Sequence, residues 1–406
     1  MVRIFTKWIP SLSVAGVITA GAIAVPLQAN AVDLPDRTVA ELIAAMDESV
    51  EGFSGTVTKT TNLGLPELEM SQMMSQEMIE EMEQRMPEGF EDFIPQVIEH
   101  SSVTDAISFI AGSDQIRVYA SEDGFRAQVL EPMSQRDVIV TADAVYSYNA
   151  RTNSVLTRQL DVDLSEADVD MEELNSQVEV DLTNPDELAV YLMEQADGFA
   201  DIAVGDDHRV ANRDAYRLVI TPQSAVSLID RIEISVDAET GLGLGVQVYS
   251  TEQSEVALSV AFDDITVEAP GASIFAFSPP PGATVETLEF PADIEATLTE
   301  LQRDDLSEAE KEALVEQLKA DIESEYAEGI TTEIIGEGFD QVVTMSALPD
   351  LVPLEILGNE LLGDLTVEVA GGQVFSTPLG NTLITDSGEV FSGVVTIDYL
   401  QQLAAN

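Results

Sequence analysis

The hydrophobic positions of the chain predict one short helix followed by a long succession of strands. Apolar residues between Val39 and Val50 recur at the spacing of a single helix face, and Gly52 ends this helix. From Phe53 onward the chain consists of short runs rich in β-branched and aromatic residues, bounded by Gly, Asp and Asn. Such runs occupy residues 53–61, 115–120, 124–131, 135–141, 144–149 and 154–160. Their regular spacing predicts an antiparallel meander.

A second group of strands follows an acidic loop at residues 161–181 and a helix. Asn184 caps the start of that helix, Pro185 occupies its first turn, and two acids follow. Further strands are predicted at residues 213–221, 231–237, 243–250 and 256–267, with a hairpin turn at 239–241. About eight or nine strands in one region predict a curved or barrel-like sheet. The run of prolines at residues 279–281 is predicted to end this domain.

The remainder of the chain predicts a charged helix and a small α+β unit. The charged helix covers about residues 307–327. The α+β unit has a strand at 339–345, a helix at about 351–362, strands within 365–397 and a helix-like segment at 400–403. The fold class is therefore mainly β with helices.

The first 31 residues have the pattern of a signal peptide. Arg3 and Lys7 precede an uncharged apolar stretch that leads to Ala29-Asn30-Ala31. This pattern predicts export across the cytoplasmic membrane to the cell envelope, a periplasm-like space or the exterior. An uncleaved membrane anchor is the alternative, with an apolar run at the short limit for spanning a bilayer.

The charge of the chain excludes one class of partner. The 75 acidic residues outnumber the 17 basic ones, which gives a formal net charge of −58. Such a charge repels nucleic acids, which bind proteins through clustered Lys and Arg. Only four of the basic residues are lysines, and we interpret the acidic, lysine-poor surface as an adaptation to concentrated salt. Because 45% of the residues are hydrophobic, the chain can still bury a large core.

The residues that commonly carry catalysis or bind metals are scarce. The chain has no Cys and only two His, His100 and His208, both predicted to lie at the surface. No nucleophile is paired with a base, so a non-enzymatic protein without a cofactor is predicted, and a glycosidase with two carboxylates is the remaining enzymatic alternative. A calcium-loop pattern that begins at Asp161 has Glu166 where glycine is required, which favours a solvated acidic loop.

A Met-rich insert at residues 63–102 interrupts the strands. Five methionines recur there at intervals of four residues: Met70, Met74, Met78, Met82 and Met86. Methionine is flexible and polarizable, so this stretch is hypothesised to form a mobile amphipathic lid over an apolar cavity. An ordinary helix on the sheet, a loop and a copper(I) site of thioethers are the alternatives.

Several strands carry apolar residues on both faces, so either both faces are covered or one of them lines a cavity. An apolar cavity in a curved sheet is a common setting for a lipid or acyl chain. The apolar residues on one side are Ile116, Val118, Val129, Val138, Val145 and Leu218, and those on the other are Tyr119, Leu130, Ile139, Tyr146, Tyr148 and Val219.

Four motifs in this order resemble the LolA-like outer-membrane lipoprotein carrier family, and especially its secreted actinobacterial members. The motifs are Phe53-Ser-Gly-Thr-Val-Thr58, the segment 209–222, Ile234-Ser-Val-Asp-Ala-Glu-Thr-Gly241 and Ala272-Ser-Ile-Phe-Ala-Phe-Ser-Pro-Pro280. The resemblance implies an incomplete antiparallel β-barrel, closed by helices, whose concave side holds acyl chains or other lipid. Met46 stands where the short carriers have a latch arginine, which leaves that latch in question.

The sequence predicts four regions: a signal peptide at 1–31, a half-barrel at 32–285 that the resemblance implies to bind lipid, a charged helical linker at 286–330 and a small α+β extension at 331–406. Motifs at 336–340 and 385–393 resemble the extension of the actinobacterial members. The candidate lipid-binding residues are Met70, Met74, Met78, Phe125, Val129, Tyr146, Tyr148, Leu218, Ile220, Ile232, Ile234, Val246 and Val248.

Two other functions are compatible with the same sequence. A related fold occurs in RseB-type regulators, which sense envelope stress and bind a membrane anti-sigma factor through a second small domain. The extension at residues 331–406 is compatible with that function. An adhesive or structural secreted domain is the third possibility, and it predicts no cavity.

Overall fold

The computed structural model describes most of the predicted strands and a few short helices. The described residues are 34–46, 50–64, 112–131, 134–159, 184–196, 198–287, 331–346 and 366–405, with isolated positions between 296 and 314. The signal-peptide pattern, the Met-rich insert, the acidic loop and most of the charged linker lie outside these ranges, as does the helix predicted at 351–362.

The first and larger unit is one extended sheet with two helices. Its helices are α1 (Val39–Met46) and α2 (Pro185–Ala196). Its strands are β1 (Gly52–Thr61), β2 (Ser113–Ser121), β3 (Gly124–Glu131), β4 (Ser134–Val140), β5 (Ala144–Asn149), β6 (Ser154–Gln159), β7 (Ala200–Val204), β8 (His208–Val210), β9 (Arg213–Pro222), β10 (Ile229–Asp237), β11 (Gly243–Ser250), β12 (Val256–Thr266) and β13 (Thr284–Thr287).

The strand order of this sheet is β13-β6-β5-β4-β3-β2-β1-β12-β11-β10-β9-β7, and β8 also pairs with β9. The two end strands, β13 and β7, are not neighbours in this order, so the curved sheet is not closed into a barrel. Irregular pairing at Thr56/Val57 in β1 and at Ser235/Val236 in β10 increases the local twist and bends the strands.

The sheet is mixed, whereas the sequence predicted an antiparallel one. After the prolines the chain returns as β13, which pairs with β6 in parallel register, Val285 opposite Val155. The residues 279–281 therefore turn the chain back along the sheet edge instead of ending the sheet. Four residues of β13 carry too short a pattern to be recognised as a strand from the sequence.

Local sequence explains where both helices begin. Thr38 and Glu41 form a reciprocal capping pair: the Thr38 backbone N–H donates to the Glu41 carboxylate at 2.8 Å, and the Glu41 N–H donates to Thr38 Oγ1 at 3.3 Å. In α2 the Asn184 side-chain oxygen accepts the Asp186 N–H at 3.1 Å. None of the helices in the described ranges has the length and apolar character that crossing a membrane would require.

The C-terminal unit is a second sheet with one helix. Its strands are β14 (Thr331–Ile335), β15 (Val342–Ser346), β16 (Thr366–Val369), β17 (Gly372–Thr377), β18 (Gly380–Thr385) and β19 (Val390–Gly393), in the order β14-β15-β19-β18-β17-β16. Helix α3 (Ile397–Ala404) buries Leu400 against this sheet. The strand predicted at 339–345 begins only at Val342, because residues 338–340 form a 3₁₀ turn.

Candidate functional site

Cross-strand register divides the large sheet into two faces. Ile220, Ile232 and Val248 are direct neighbours on β9, β10 and β11, and Leu218, Ile234 and Val246 form the parallel row next to them. Helix α2 contacts these strands, and Leu188, Ala189 and Met193 of α2 belong to the same apolar cluster. We call this helix-covered side the inner face and the opposite side the outer face.

Part of the inner face is sealed core. The side chains of Leu218, Ile220, Ile232, Ile234 and Val246 are fully buried, and Val248 is 5% exposed. The Asp186 carboxylate also accepts the Gly243 N–H at 2.7 Å, which fixes the start of α2 over the start of β11. A ligand could touch these six predicted lining residues only if α2 moved away. In the folded protein they form part of the hydrophobic core under α2.

The inner face is more open over the meander. Val129, Val138 and Val145, on β3, β4 and β5, are only partly buried and pack against the same apolar cluster. We call these three residues the meander patch. Phe125, another predicted lining residue, lies at the end of this region on β3 and is 3% exposed. The meander patch is therefore a described part of the inner face where an apolar ligand could bind without unpacking the core.

The two predicted tyrosines lie on the outer face. Tyr146 pairs with Ile139 and Tyr148 with Asp137, which places both opposite the meander patch. Their rings contact Phe277, with centroid distances of 5.2 and 6.0 Å. Tyr146 and Tyr148 thus help to cover the outer face and do not join the other predicted lining residues.

A segment between β12 and β13 contacts this part of the outer face, and we call residues 272–283 the outer strap. Arg126 donates two hydrogen bonds to Asp137, at 3.0 and 2.9 Å, and a third to the Ile274 carbonyl at 2.8 Å. The bonded carboxylate raises the pKa of Arg126. On the outer face of the meander, Ile139 is therefore buried, and Tyr146 and Tyr148 contact Phe277.

Two basic residues lie on the inner face, Arg136 next to the meander patch and Lys59 further across the sheet on β1. The Lys59 ammonium lies 2.7 Å from the Asp114 carboxylate and is 1% exposed. Burial lowers the pKa of Lys59, and the Asp114 charge acts in the opposite direction. Arg136 pairs across the strands with Val129, and burial together with Arg151 lowers its pKa to about 10. Sequence reasoning missed both residues because a basic residue in a strand is usually solvent-facing.

His208 is buried, whereas the sequence predicted a surface residue; it is 2% exposed. Its Nε2 shares a 2.8 Å hydrogen bond with Ser235 Oγ, and its Nδ1 has no hydrogen-bond partner among the described residues. Burial and the Arg217 charge lower the pKa of His208 to about 4. A serine–histidine pair with so weak a base and no carboxylate on Nδ1 lacks the arrangement of a hydrolase triad.

The remaining site predictions concern residues that the structure does not describe or that belong to the core. Met70, Met74, Met78 and His100 lie outside the described residues. Met46 is 7% exposed and belongs to the core cluster of the large sheet. The described ranges contain no group of three or more acidic or His side chains placed to hold a metal ion.

Comparison with known proteins gave structural neighbours only, since no protein-family model and no curated protein matches the chain. The complex of MucA and MucB from Pseudomonas aeruginosa has 13% identity, 90% coverage of this chain, 95% of that chain and a TM-score of 0.38. An uncharacterized conserved protein from Thermus thermophilus has 13% identity, 61% and 98% coverage, and a TM-score of 0.31. A LolA superfamily protein from Nitrosomonas europaea has 10% identity, 60% and 99% coverage, and a TM-score of 0.21.

These neighbours include LolA-superfamily and MucB proteins at low sequence identity. With every quoted TM-score below 0.5, they assign neither a family nor a function to this chain. The secreted actinobacterial subgroup remains an expectation from the sequence motifs, and a function has to be argued from the residues of the chain itself.

Proposed function

We propose that this protein is a non-enzymatic carrier or binding protein for lipid or lipoprotein acyl chains, and that it is exported to the cell envelope. The observation that carries this proposal is the meander patch: three apolar side chains, incompletely buried, on the same face that the helices cover. The outer face of the same strands is occupied by the outer strap. The meander patch therefore offers an apolar ligand a place to bind on the inner face.

The free energy gained by burying methylene groups favours a long apolar ligand over a small one. Burial of each methylene group contributes about 0.8 kcal/mol to binding. A chain of ten or more methylenes, if half of it is buried, therefore gains about 4 kcal/mol or more before the loss of freedom on binding is subtracted. Arg136, which pairs across the strands with Val129, gives the inner face a basic group beside the apolar patch, which suits an amphipathic ligand.

Isolation of the protein with its natural ligand tests this proposal. Native mass spectrometry and solvent extraction of protein purified without detergent should reveal a bound lipid or acylated peptide. A lipid-free protein that also fails to bind a fluorescent fatty acid or a lipopeptide would contradict the proposal. The same preparation is extracted before and after denaturation. A lipid released only after denaturation is bound inside the protein, and one released before is held on its surface.

A second candidate function is an RseB-type regulator that binds a membrane anti-sigma factor. One observation favours it: β14 is an end strand of the C-terminal sheet and exposes 62% of Ile334. An end strand with an exposed apolar side chain can add a strand from a partner. Saturable binding of the purified extracytoplasmic segment of an anti-sigma factor, lost in Ile334→Asp, would support this function.

A further inference from the structure

The inner face changes from apolar to polar next to the meander patch. Beyond Val129, the same cross-strand row continues with Arg136 on β4 and Asn149 on β5. Beyond Val138, the neighbouring row continues with Ser147 on β5. The valines of the meander patch are therefore followed, within two strands, by a guanidinium group, an amide and a hydroxyl group.

A second guanidinium group belongs to the same part of the sheet. Arg151 lies in the turn after β5, where its backbone N–H donates to the Asn149 side-chain oxygen at 2.9 Å. In the same turn the Ala150 N–H donates to the Gln135 carbonyl at 3.0 Å. Since Asn149 is also the cross-strand partner of Arg136, the turn brings the two arginines to the end of the hairpin where β4 begins and β5 ends. We call Arg136 and Arg151 the arginine pair.

The two positive charges of the arginine pair act on each other. Burial and the charge of Arg151 lower the pKa of Arg136 to about 10, so the surroundings disfavour a positive charge at this position. Because that pKa is still well above neutral pH, Arg136 remains protonated there. A negatively charged group beside the pair would oppose this repulsion and accept charge-assisted hydrogen bonds.

The charge of the whole chain makes the position of this pair informative. The chain has 75 acidic and 17 basic residues, and its field repels anions in general, so an anion site needs local positive charge. Arg158 on β6 pairs with Val145 at the other side of the meander patch, but Glu286 of β13 lies on the same face, opposite Leu156. We therefore place the candidate anion site at the arginine pair, where two positive charges stand together.

We propose that the arginine pair binds the anionic head group of a lipid whose acyl chain lies on the meander patch, so that the protein selects acidic lipids. The inference rests on the proposed function, because it assumes an apolar chain on the inner face. The head group is a carboxylate or a phosphate, whose oxygens accept hydrogen bonds from planar guanidinium groups. An uncharged lipid of the same chain length meets the same valines but gains nothing from the pair.

The test compares three ligands that share one alkyl chain: dodecanoic acid, dodecyl phosphate and dodecanol. Each competes with a fluorescent lipid for the unaltered protein at about pH 8, where a carboxyl group is ionised, and at one fixed salt concentration. The acid and the phosphate should bind at least about tenfold more tightly than the alcohol, because hydrogen bonds between charged groups are stronger than neutral ones.

Four variants locate the source of this preference. Arg136→Gln and Arg151→Gln should each weaken binding of the acid and the phosphate by at least about fivefold and leave binding of the alcohol unchanged. Arg117→Gln removes the same charge from an exposed position on the outer face of β2, and Arg158→Gln removes it at the other side of the patch. Both controls should change no affinity by more than about twofold. Circular dichroism checks folding, and Arg151→Gln, at an exposed position, carries the test if Arg136→Gln does not fold.

Equal affinity of the unaltered protein for all three ligands would overturn the head-group site and leave the proposed function intact. Equal losses in Arg117→Gln and Arg151→Gln, or a loss in Arg158→Gln alone, would also overturn it. Inorganic phosphate that competes as well as dodecyl phosphate would show a site for free anions and contradict the head-group inference. Absence of binding by all three ligands would overturn the proposed function and this inference together.

Discussion

At the scale of single residues, the buried polar groups link the fold to solution conditions. His208 is neutral near pH 7 because burial and the nearby Arg217 lower its pKa to about 4. In the unfolded chain its pKa is about 6.5. Between these two values the unfolded state binds the proton more readily, so acidification stabilises the unfolded state relative to the folded one.

The replacement His208→Gln should remove this contribution while a side-chain amide can still reach Ser235. Between pH 7 and about pH 5, the unaltered protein should lose about 2 kcal/mol more of its unfolding free energy than the variant loses. Urea unfolding at both pH values measures the difference, and comparison with the variant cancels the titration of the many carboxylates. Equal pH dependence in the two proteins would show that His208 is not held neutral by burial.

At the residue scale, apolar character in a strand goes with burial. Leu218, Ile234 and Val246 were predicted to line or support a cavity, and their side chains are fully buried. His208 and Lys59 were not recognised as buried, because a hydrogen bond to Ser235 and an ion pair with Asp114 make their burial possible. Such partners are distant in the sequence and have no local pattern.

At the scale of elements, Gly338 allows the two units of the molecule to approach each other closely at one point. Gly338 has a φ of +55°, and a Cβ atom there would lie 2.4 Å from Cγ of Phe199. Phe199 follows α2, and Phe339 packs against the core of the large sheet. The 3₁₀ turn at residues 338–340 can therefore approach α2 only without a side chain at position 338.

Gly338→Ala should lower the free energy of unfolding by about 2–4 kcal/mol, since it combines the left-handed backbone penalty with a steric clash. Gly371→Ala is the matched control: Gly371 has a φ of +89°, and a Cβ there would meet no atom within 4 Å. The control should lose only about 1–2 kcal/mol. Urea unfolding compares the two variants. Equal losses of unfolding free energy would mean that the steric clash with Phe199 adds nothing to the backbone penalty.

Most elements of the larger unit could be predicted from the sequence because their patterns are long and their turns contain recognisable residues. Strands β3, β5 and β11 begin and end at the predicted residues. The strands β7, β8 and β13 were not predicted, since each has five or fewer residues and depends on pairing with a distant strand. The parallel pairing of β13 with β6 likewise has no sequence signature, because it follows from the path of the outer strap.

At the scale of the whole molecule, the few basic residues of the described ranges have definite structural positions. Arg126 and Arg213 form ion pairs with the buried carboxylates of Asp137 and Asp237, at 2.9 and 2.7 Å. Lys59 pairs with Asp114 on the inner face. In the described ranges the sheet therefore pairs the acids that it buries with basic residues.

From the sequence, the candidate site could be predicted only as a set of apolar positions. The sequence did not show on which face of the sheet each of them lies. The cross-strand register places Phe125 and Val129 on the helix-covered face and Tyr146 and Tyr148 on the other, although all four were predicted as one set of lining residues. The hydrogen bond from Ser250 to the Pro378 carbonyl could not be foreseen either, because it depends on how the C-terminal sheet packs against the end of β11.

The central claim is that acyl chains bind at the meander patch, and a titration with a fluorescent fatty acid tests it most directly. Val138→Asn places an amide in the patch without adding charge, and Val367→Asn makes the same change at an exposed position of the C-terminal sheet. The unaltered protein and Val367→Asn should bind saturably with equal affinity, and Val138→Asn should bind at least about fivefold more weakly. Absence of saturable binding, or equal affinity in all three proteins, would contradict the claim.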